Sequence, residues 1–314
     1  MKWRILVSAP YIQPVLDNYK ESMESRGAEL VVPMVTERLS ESELMKLVGD
    51  IDGVIAGDDE FTQRVLEKAV PRLRVISKWG TGIDSFDQAA CARLGVVIRN
   101  TPGAFTEPVA DSVMGYVLNF ARKLPWMDKQ MKSGLWDKIP GRSLNETTLG
   151  IVGFGNIGTA VARRARAFGM RVIANDIKSI PDEIIRETGV KIVGLQELLQ
   201  VSDFVSLSCD LNPTSFHLMN ADTFSKMKKE AFIINLARGP LIEEKSLVDA
   251  LTKRKISGAA LDVFEKEPLP DDSPLKLMSN VMLAPHNSNS SPSVWLKVHE
   301  NTIRNLFDVL ETKL

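Results

Sequence analysis

The chain predicts an α/β protein made of two doubly wound parallel-sheet domains, and three observations carry that expectation. Short apolar runs alternate with segments of helical apolar spacing over nearly the whole length. Two breaker-rich stretches, NTPGAFTEP at 100–108 and APHNSNSSPS at 284–293, interrupt the rhythm. At 314 residues the chain is long enough to bury two substantial cores.

In the first series, strands are expected at 4–9, 28–32, 52–57, 74–79 and 96–100. Helices are expected between them at 12–25, 40–48, 61–69 and 85–93. After the first break, Thr106 is a suitable N-cap and Pro108 is tolerated in the first turn. Val109, Val113, Val117 and Phe120 then mark one face of a long helix. Residues 124–147, with Pro, Trp and mixed charge, read as a surface excursion.

The second series has strands at TLGIVG, RVIAND, DFVSLS, AFIINLA, GAALDVF and NVMLAP, and an amphipathic helix closes the chain at about 292–312. We therefore expect one domain over 1–100, completed by 289–314, and another over 101–288. Two crossings close together, near 100–106 and 286–292, predict a hinge beside an interdomain cleft, a favoured place for a ligand.

Bulk composition excludes several classes. With 39 basic and 40 acidic residues, the net charge of −1 gives no reason to expect nucleic acid or an anionic membrane as partner. Cys91 and Cys209 are far apart and form no CxxC, so a reducing compartment is expected. The opening apolar run is too short for a signal peptide and no later run is long enough to cross a bilayer, which places the expectation in the cytoplasm. His217, His286 and His299 are scattered without ligand spacing, and no metal site is expected.

GIVGFGNIGTAVARRARAFGMRVIANDI is the most informative stretch. Gly153, Gly155 and Gly158 form G-x-G-x-x-G directly after a strand and at the opening of a helix. The first glycine permits the tight turn, the second lets backbone approach a pyrophosphate, and the third allows close helix–strand packing. The helix N-terminus favours phosphate charge. Asp176, at the end of the next strand, is placed to accept the adenosine ribose hydroxyls and to repel a 2′-phosphate. The signature predicts a Rossmann-type domain holding NAD rather than NADP.

A bound nicotinamide supplies hydride, so the protein must supply a carbonyl polariser, a proton donor and an anchor. Arg238 follows the fourth strand of the second series, where a guanidinium can grip a carboxylate bidentately. Asp262, Glu265 and Glu267 follow the next strand and His286 the last. Histidine titrates near neutrality and can deliver a proton to the carbonyl oxygen of a 2-oxo acid. A neighbouring carboxylate favours its charged form, the role expected of Glu267.

GTGIDSFD, GFGNIG, NLARGP, GAALDVFEKEP and APHNS, in that order, make the chain similar to the D-isomer-specific 2-hydroxyacid dehydrogenases over nearly its whole length. The resemblance is strongest to the catalytic region of the D-3-phosphoglycerate dehydrogenases. It implies a flavodoxin-like substrate domain beside the NAD-binding one, and a catalytic set of Arg238, Glu267 and His286. It implies NAD contacts at Thr81, Asn156, Ile157, Asp176, Cys209, Leu236, Ala237, Asp262 and around His286, besides the glycines. It implies that Gly80, Thr81 and Gly82 offer backbone N–H groups to the substrate carboxylate. Lys78 occupies the position where phosphoglycerate dehydrogenases often carry an arginine that meets the substrate phosphate, and Trp79 would line the cleft or pack behind it. A homodimer through the nucleotide-binding domain is implied, with 124–147 as its arm.

The substrate this implies is 3-phosphoglycerate with 3-phosphohydroxypyruvate, the alternative being glyoxylate or hydroxypyruvate. The chain departs from its relatives at Ser208 and Asp210, where histidine and proline are common, and at Asn287 and Ser288, where smaller residues are common. Ending at Leu314, it is not expected to carry the C-terminal regulatory domain of longer phosphoglycerate dehydrogenases. Glu267 argues against a formate dehydrogenase, which carries glutamine there, and Thr81 against a phosphite-type dehydrogenase, which carries lysine. An alternative of another class is an NADH-sensing, peptide-binding scaffold like the C-terminal-binding corepressors.

Overall fold

The computed structural model describes residues 2–312. Met1, Lys313 and Leu314, at the outer ends of the expected substrate domain, lie outside the described residues. The chain divides into two compact units, Met1–Phe105 with Ser291–Leu314, and Thr106–Ser290.

The first unit is a five-stranded parallel sheet, β1 (Trp3–Val7), β2 (Ala28–Val31), β3 (Gly53–Ala56), β4 (Val75–Lys78) and β5 (Val97–Arg99), in the order β2-β1-β3-β4-β5. That order is the flavodoxin-like one. Helices α1 (Asp17–Ser25), α2 (Glu41–Leu47), α3 (Gln63–Ala69) and α4 (Gln88–Leu94) cross between the strands. Both faces of β3 and β4 are buried; β3 accordingly reads as an unbroken apolar run, whereas β4 ends in the buried polar residues Ser77 and Lys78. The last helix, α12 (Pro292–Glu311), belongs to this unit and buries Val298, Leu306, Phe307 and Leu310. A Cβ on Gly53 would stand 2.7 Å from a Leu306 methyl, so glycine is what lets α12 lie on the sheet. Arg74 caps the helix, giving hydrogen bonds to the carbonyls of Val309, Leu310 and Thr312.

The unit extends to Phe105 rather than ending at residue 100. The turn after β5 is tied back: Thr101 N–H donates to the Gly80 carbonyl at 2.8 Å, Asn100 Nδ2 to that of Thr81 at 2.6 Å, and Phe105 packs on Trp79.

Trp79 is 3% exposed and donates Nε1–H to His299 Nδ1 at 2.9 Å, across 220 residues of sequence. This bond requires an unprotonated Nδ1. Burial holds His299 below its ordinary 6.5, with Glu300 pulling the other way. Above 6.5 the folded and unfolded chains are both neutral here; below it the unfolded chain takes the proton first, so stability falls as pH falls towards the folded value. Thermal midpoints measured from about pH 7 to about pH 5 should therefore decline less steeply in His299→Gln than in the wild type. An equal decline in both would refute this coupling.

The second unit carries seven parallel strands: β6 (Thr148–Val152), β7 (Arg171–Asn175), β8 (Lys191–Ile192), β9 (Phe204–Leu207), β10 (Phe232–Asn235), β11 (Gly258–Leu261) and β12 (Val281–Leu283). Their order, β12-β11-β10-β9-β6-β7-β8, is the doubly wound dinucleotide-binding order with one further strand, and its switch point lies between β6 and β9. β8 is a correction: it has two residues, both exposed, and makes β10 the fifth strand of this unit rather than the fourth. The helices are α5 (Thr106–Arg122), α6 (Leu124–Lys132), α7 (Asn156–Ala167), α8 (Asp182–Thr188), α9 (Leu195–Val201), α10 (Ala221–Lys226) and α11 (Glu244–Thr252). Val109, Val113, Val117 and Phe120 form the buried face of α5. Thr106 is itself the first helical residue rather than the cap. Arg164 of α7 binds Glu107 and Asp111 of α5 at 2.5 and 2.7 Å, joining the two helices. The expected excursion begins with α6 and becomes irregular only after it.

Candidate active site

The glycine-rich turn leaves β6 at the switch point, where ligands of open parallel sheets bind. Gly153 has φ +91°, and a Cβ there would stand 2.5 Å from Cys209 Cα, so both space and backbone demand glycine. A Cβ on Gly158 would strike the Gly153 carbonyl, which brings α7 hard against the turn. Gly155 differs: among the described residues nothing lies within 4 Å of its Cβ position, so no packing contact there excludes a side chain. The opening there suits a group that approaches from outside. No side chain caps the N-terminus of α7, leaving first-turn N–H groups for an anion.

Asp176 immediately follows β7. Its Oδ2 accepts Phe154 N–H at 2.6 Å and its Oδ1 accepts Lys178 N–H at 2.8 Å. The carboxylate thereby fixes the turn and retains acceptor capacity for hydroxyls. Ser208 Oγ, beside Gly153, is buried without a hydrogen-bond partner among the described residues. Burial pushes the neighbouring Cys209 thiol up to about 11, with Asp210 and Asp176 adding to the effect, so it is a neutral, unreactive wall. The glycine turn, the bare helix end, Asp176 and the unpartnered hydroxyl together fit a dinucleotide.

Arg238, Glu267 and His286 leave the carboxyl ends of β10, β11 and β12, three adjacent strands. Backbone pairing continues past the strands: Asp262 N–H donates to the Asn235 carbonyl at 3.0 Å, and His286 N–H to the Asp262 carbonyl at 2.8 Å. Fully buried Asn235 shapes the Arg238 turn, accepting Ala237 N–H on Oδ1 at 3.2 Å and giving Nδ2–H to the Arg238 carbonyl at 2.8 Å. Arg238 Nη1 donates to the Ala237 carbonyl at 2.9 Å. A Cβ on Gly239 would stand 2.6 Å from Glu265 N, so glycine lets this turn close onto the loop after β11.

His286 has φ +51°, a left-handed conformation uncommon outside glycine. The buried Asp262 holds it there, its two oxygens accepting Asn287 N–H at 2.6 Å and Ser288 N–H at 2.8 Å. Asp262 is thus committed to shaping the histidine loop. Glu267 accepts Phe264 N–H on Oε1 at 2.8 Å and meets His286 Nδ1 with Oε2 at 3.1 Å. Of the carboxylates following β11, Glu267 is the one on His286; Glu265 instead meets His217 Nε2 at 2.6 Å.

In the first unit, Lys78 ends β4 and Trp79, Gly80, Thr81 and Gly82 follow it. Gly80 has φ +123°. Lys78 is 4% exposed, and its ammonium lies 3.2 Å from Asp58 and 3.2 Å from the Trp79 carbonyl. Sequence reasoning did not single out Asn235, Asp58 or His299. Asn235 is a single polar residue at a strand end, Asp58 is one of three consecutive acidic residues after β3, and the partner of His299 lies far away in sequence.

The family model described as "D-isomer specific 2-hydroxyacid dehydrogenase, NAD binding domain" matches residues 114–288. A D-3-phosphoglycerate dehydrogenase from Methanocaldococcus jannaschii is 40% identical over 261 residues, 82% of this chain but 49% of that protein. A glyoxylate/hydroxypyruvate reductase B from Citrobacter koseri is 38% identical over 269 residues, 84% of this chain and 82% of that protein. The solved structure of D-lactate dehydrogenase from Aquifex aeolicus complexed with NAD and lactic acid has a TM-score of 0.87 at 27% identity, covering 98% of this chain and 95% of that one. The chain belongs to the D-isomer-specific 2-hydroxyacid dehydrogenases. It is an NAD-dependent oxidoreductase of that class, and its substrate is a small molecule.

Proposed function

We propose that the chain reduces small 2-oxo acids without an anionic tail, hydroxypyruvate to D-glycerate and glyoxylate to glycolate. The observation that carries the chemistry is the Glu267–His286 pair at the strand end beside that of the Arg238 turn. NADH, when bound, supplies the hydride. Arg238 grips the substrate carboxylate and polarises the carbonyl, His286 gives the carbonyl oxygen its proton, and Glu267 holds the imidazole from Nδ1. The amides of Gly80, Thr81 and Gly82 serve the carboxylate. Thr81, Gly153, Gly155, Asn156, Ile157, Gly158, Asp176, Cys209, Leu236 and Ala237 line the cofactor's path, and Asp262 acts there through the His286 loop.

The relative that shares more of its own length with this chain, from Citrobacter koseri, supports the uncharged tail over 3-phosphohydroxypyruvate. The test is NADH oxidation by the purified protein with hydroxypyruvate, glyoxylate and 3-phosphohydroxypyruvate at matched concentrations. A preference for the phosphorylated acid would reverse the choice of substrate, and silence with all three would sink the reductase reading.

A cytoplasmic homodimer is part of the proposal. Exposed apolar side chains cluster along 124–136, with Leu124, Met131 and Leu135 about half exposed and Trp136 at 85%, the kind of surface a second copy would cover. Sedimentation as a species of 34.8 kDa, the mass of one chain, would rule the dimer out.

A further inference from the structure

We infer that Asp58 and Lys78 form a charge-neutral pair that positions the substrate loop and excludes acids with an anionic tail. This rests on the reductase reading above. Lys78 ends β4 and Asp58 lies just past the end of the adjacent β3, so the pair stands at the carboxyl edge of the first unit's sheet, where ligands of open parallel sheets bind. The ammonium is buried and spends its donors inside the unit, on Asp58 Oδ1 and on the Trp79 carbonyl, each at 3.2 Å. Reaching out to a phosphate would strand both acceptors. The neighbouring Asp59 is fully buried, which pushes its carboxyl above the ordinary value and disfavours its charge, while Ser8 Oγ on its Oδ2 at 2.6 Å and Leu39 N–H on its Oδ1 at 2.8 Å oppose the shift. Asp58 remains 36% exposed, so what the edge shows a ligand is a carboxylate whose charge the lysine cancels. A dianionic tail meets no net attraction there.

The same lysine underlies the loop. A Cβ on Gly80 would lie 3.8 Å from Lys78 Nζ and 3.4 Å from Phe105. Three consecutive carbonyls of the loop are tied down: Trp79 by Lys78, Gly80 by Thr101 N–H, and Thr81 by Asn100 Nδ2. The N–H groups of Gly80, Thr81 and Gly82 donate to nothing among the described residues. Pinning the carbonyls on one side turns these donors to the other as a ready anion cradle. Lys78 is in this sense a positioning residue.

Lys78→Met is therefore expected to raise KM for hydroxypyruvate and for 3-phosphohydroxypyruvate by the same factor, on the order of tenfold, with NADH affinity kept. Asp58→Asn, which leaves the ammonium uncancelled, should raise the ratio of kcat/KM for the phosphorylated over the unphosphorylated acid by about tenfold. Amide hydrogen exchange of Thr101, whose N–H is bonded to the Gly80 carbonyl, should quicken in Lys78→Met when measured without substrate. Selective loss of the phosphorylated acid in Lys78→Met, an unchanged ratio in Asp58→Asn, or unchanged exchange would each overturn the inference. Exchange needs no turnover, so it decides the role of Lys78 even if wild-type protein reduces no 2-oxo acid and the reductase reading falls.

Discussion

His286→Asn is expected to lower kcat by about 10²–10⁴-fold, the range for losing a general acid, while NADH binding followed by fluorescence stays near the wild-type value. Asparagine is chosen over alanine because the residue sits at φ +51°, which asparagine tolerates. The loop is then left intact, since Asp262 holds it through the backbone of residues 286–288 and asks nothing of the imidazole. The His286→Ala variant should match it in kcat; a larger loss would expose backbone strain rather than chemistry. Glu267 touches ring nitrogen Nδ1, so the proposed proton transfer is assigned to the other nitrogen, Nε2. Turnover within a few-fold of wild type in His286→Asn would remove the histidine from the reaction.

The expected architecture was legible where physics leaves a one-dimensional trace. Parallel strands buried on both faces read as largely apolar runs, as β3 does throughout and β6 and β9 do but for one hydroxyl residue each. The edge strand β8 left none, because Lys191 and Ile192 are exposed and too few to set a period. The glycine signature was legible because Gly153 and Gly158 answer to backbone atoms that no side chain could avoid. Strand-end chemistry and the resemblance both point to Arg238, Glu267 and His286, but residue order gives no geometric reason for Glu267 over Asp262 or Glu265. Three-dimensional closure separates them: one shapes the histidine loop, one meets His217 and one meets His286. Lys78 shows the converse limit. Its position in the chain points to a phosphate, whereas its burial and its partner point inward, and neither burial nor Asp58 can be read from residue order.

Arg238→Lys is expected to cost about 10²–10³-fold in kcat/KM for any 2-oxo acid, comparable to losing a preorganised donor at developing negative charge. The charge survives this substitution, so the loss measures geometry. A guanidinium offers a planar fork that meets a carboxylate with two parallel hydrogen bonds, and an ammonium cannot reproduce it. The chain invests in holding that fork: Asn235, buried at the end of β10, clamps the turn on both sides of Ala237, and Nη1 is braced on the Ala237 carbonyl. If the clamp matters for aim, Asn235→Ala should show a weaker version of the Arg238→Lys phenotype, with raised KM and unchanged NADH affinity. Added guanidinium ion should restore part of the activity of Arg238→Ala but none of that of Asn235→Ala, because only the former lacks the group itself. Near-normal kcat/KM in Arg238→Lys would mean that this strand-end arginine contributes charge alone, and that the closely held turn serves the fold rather than the substrate.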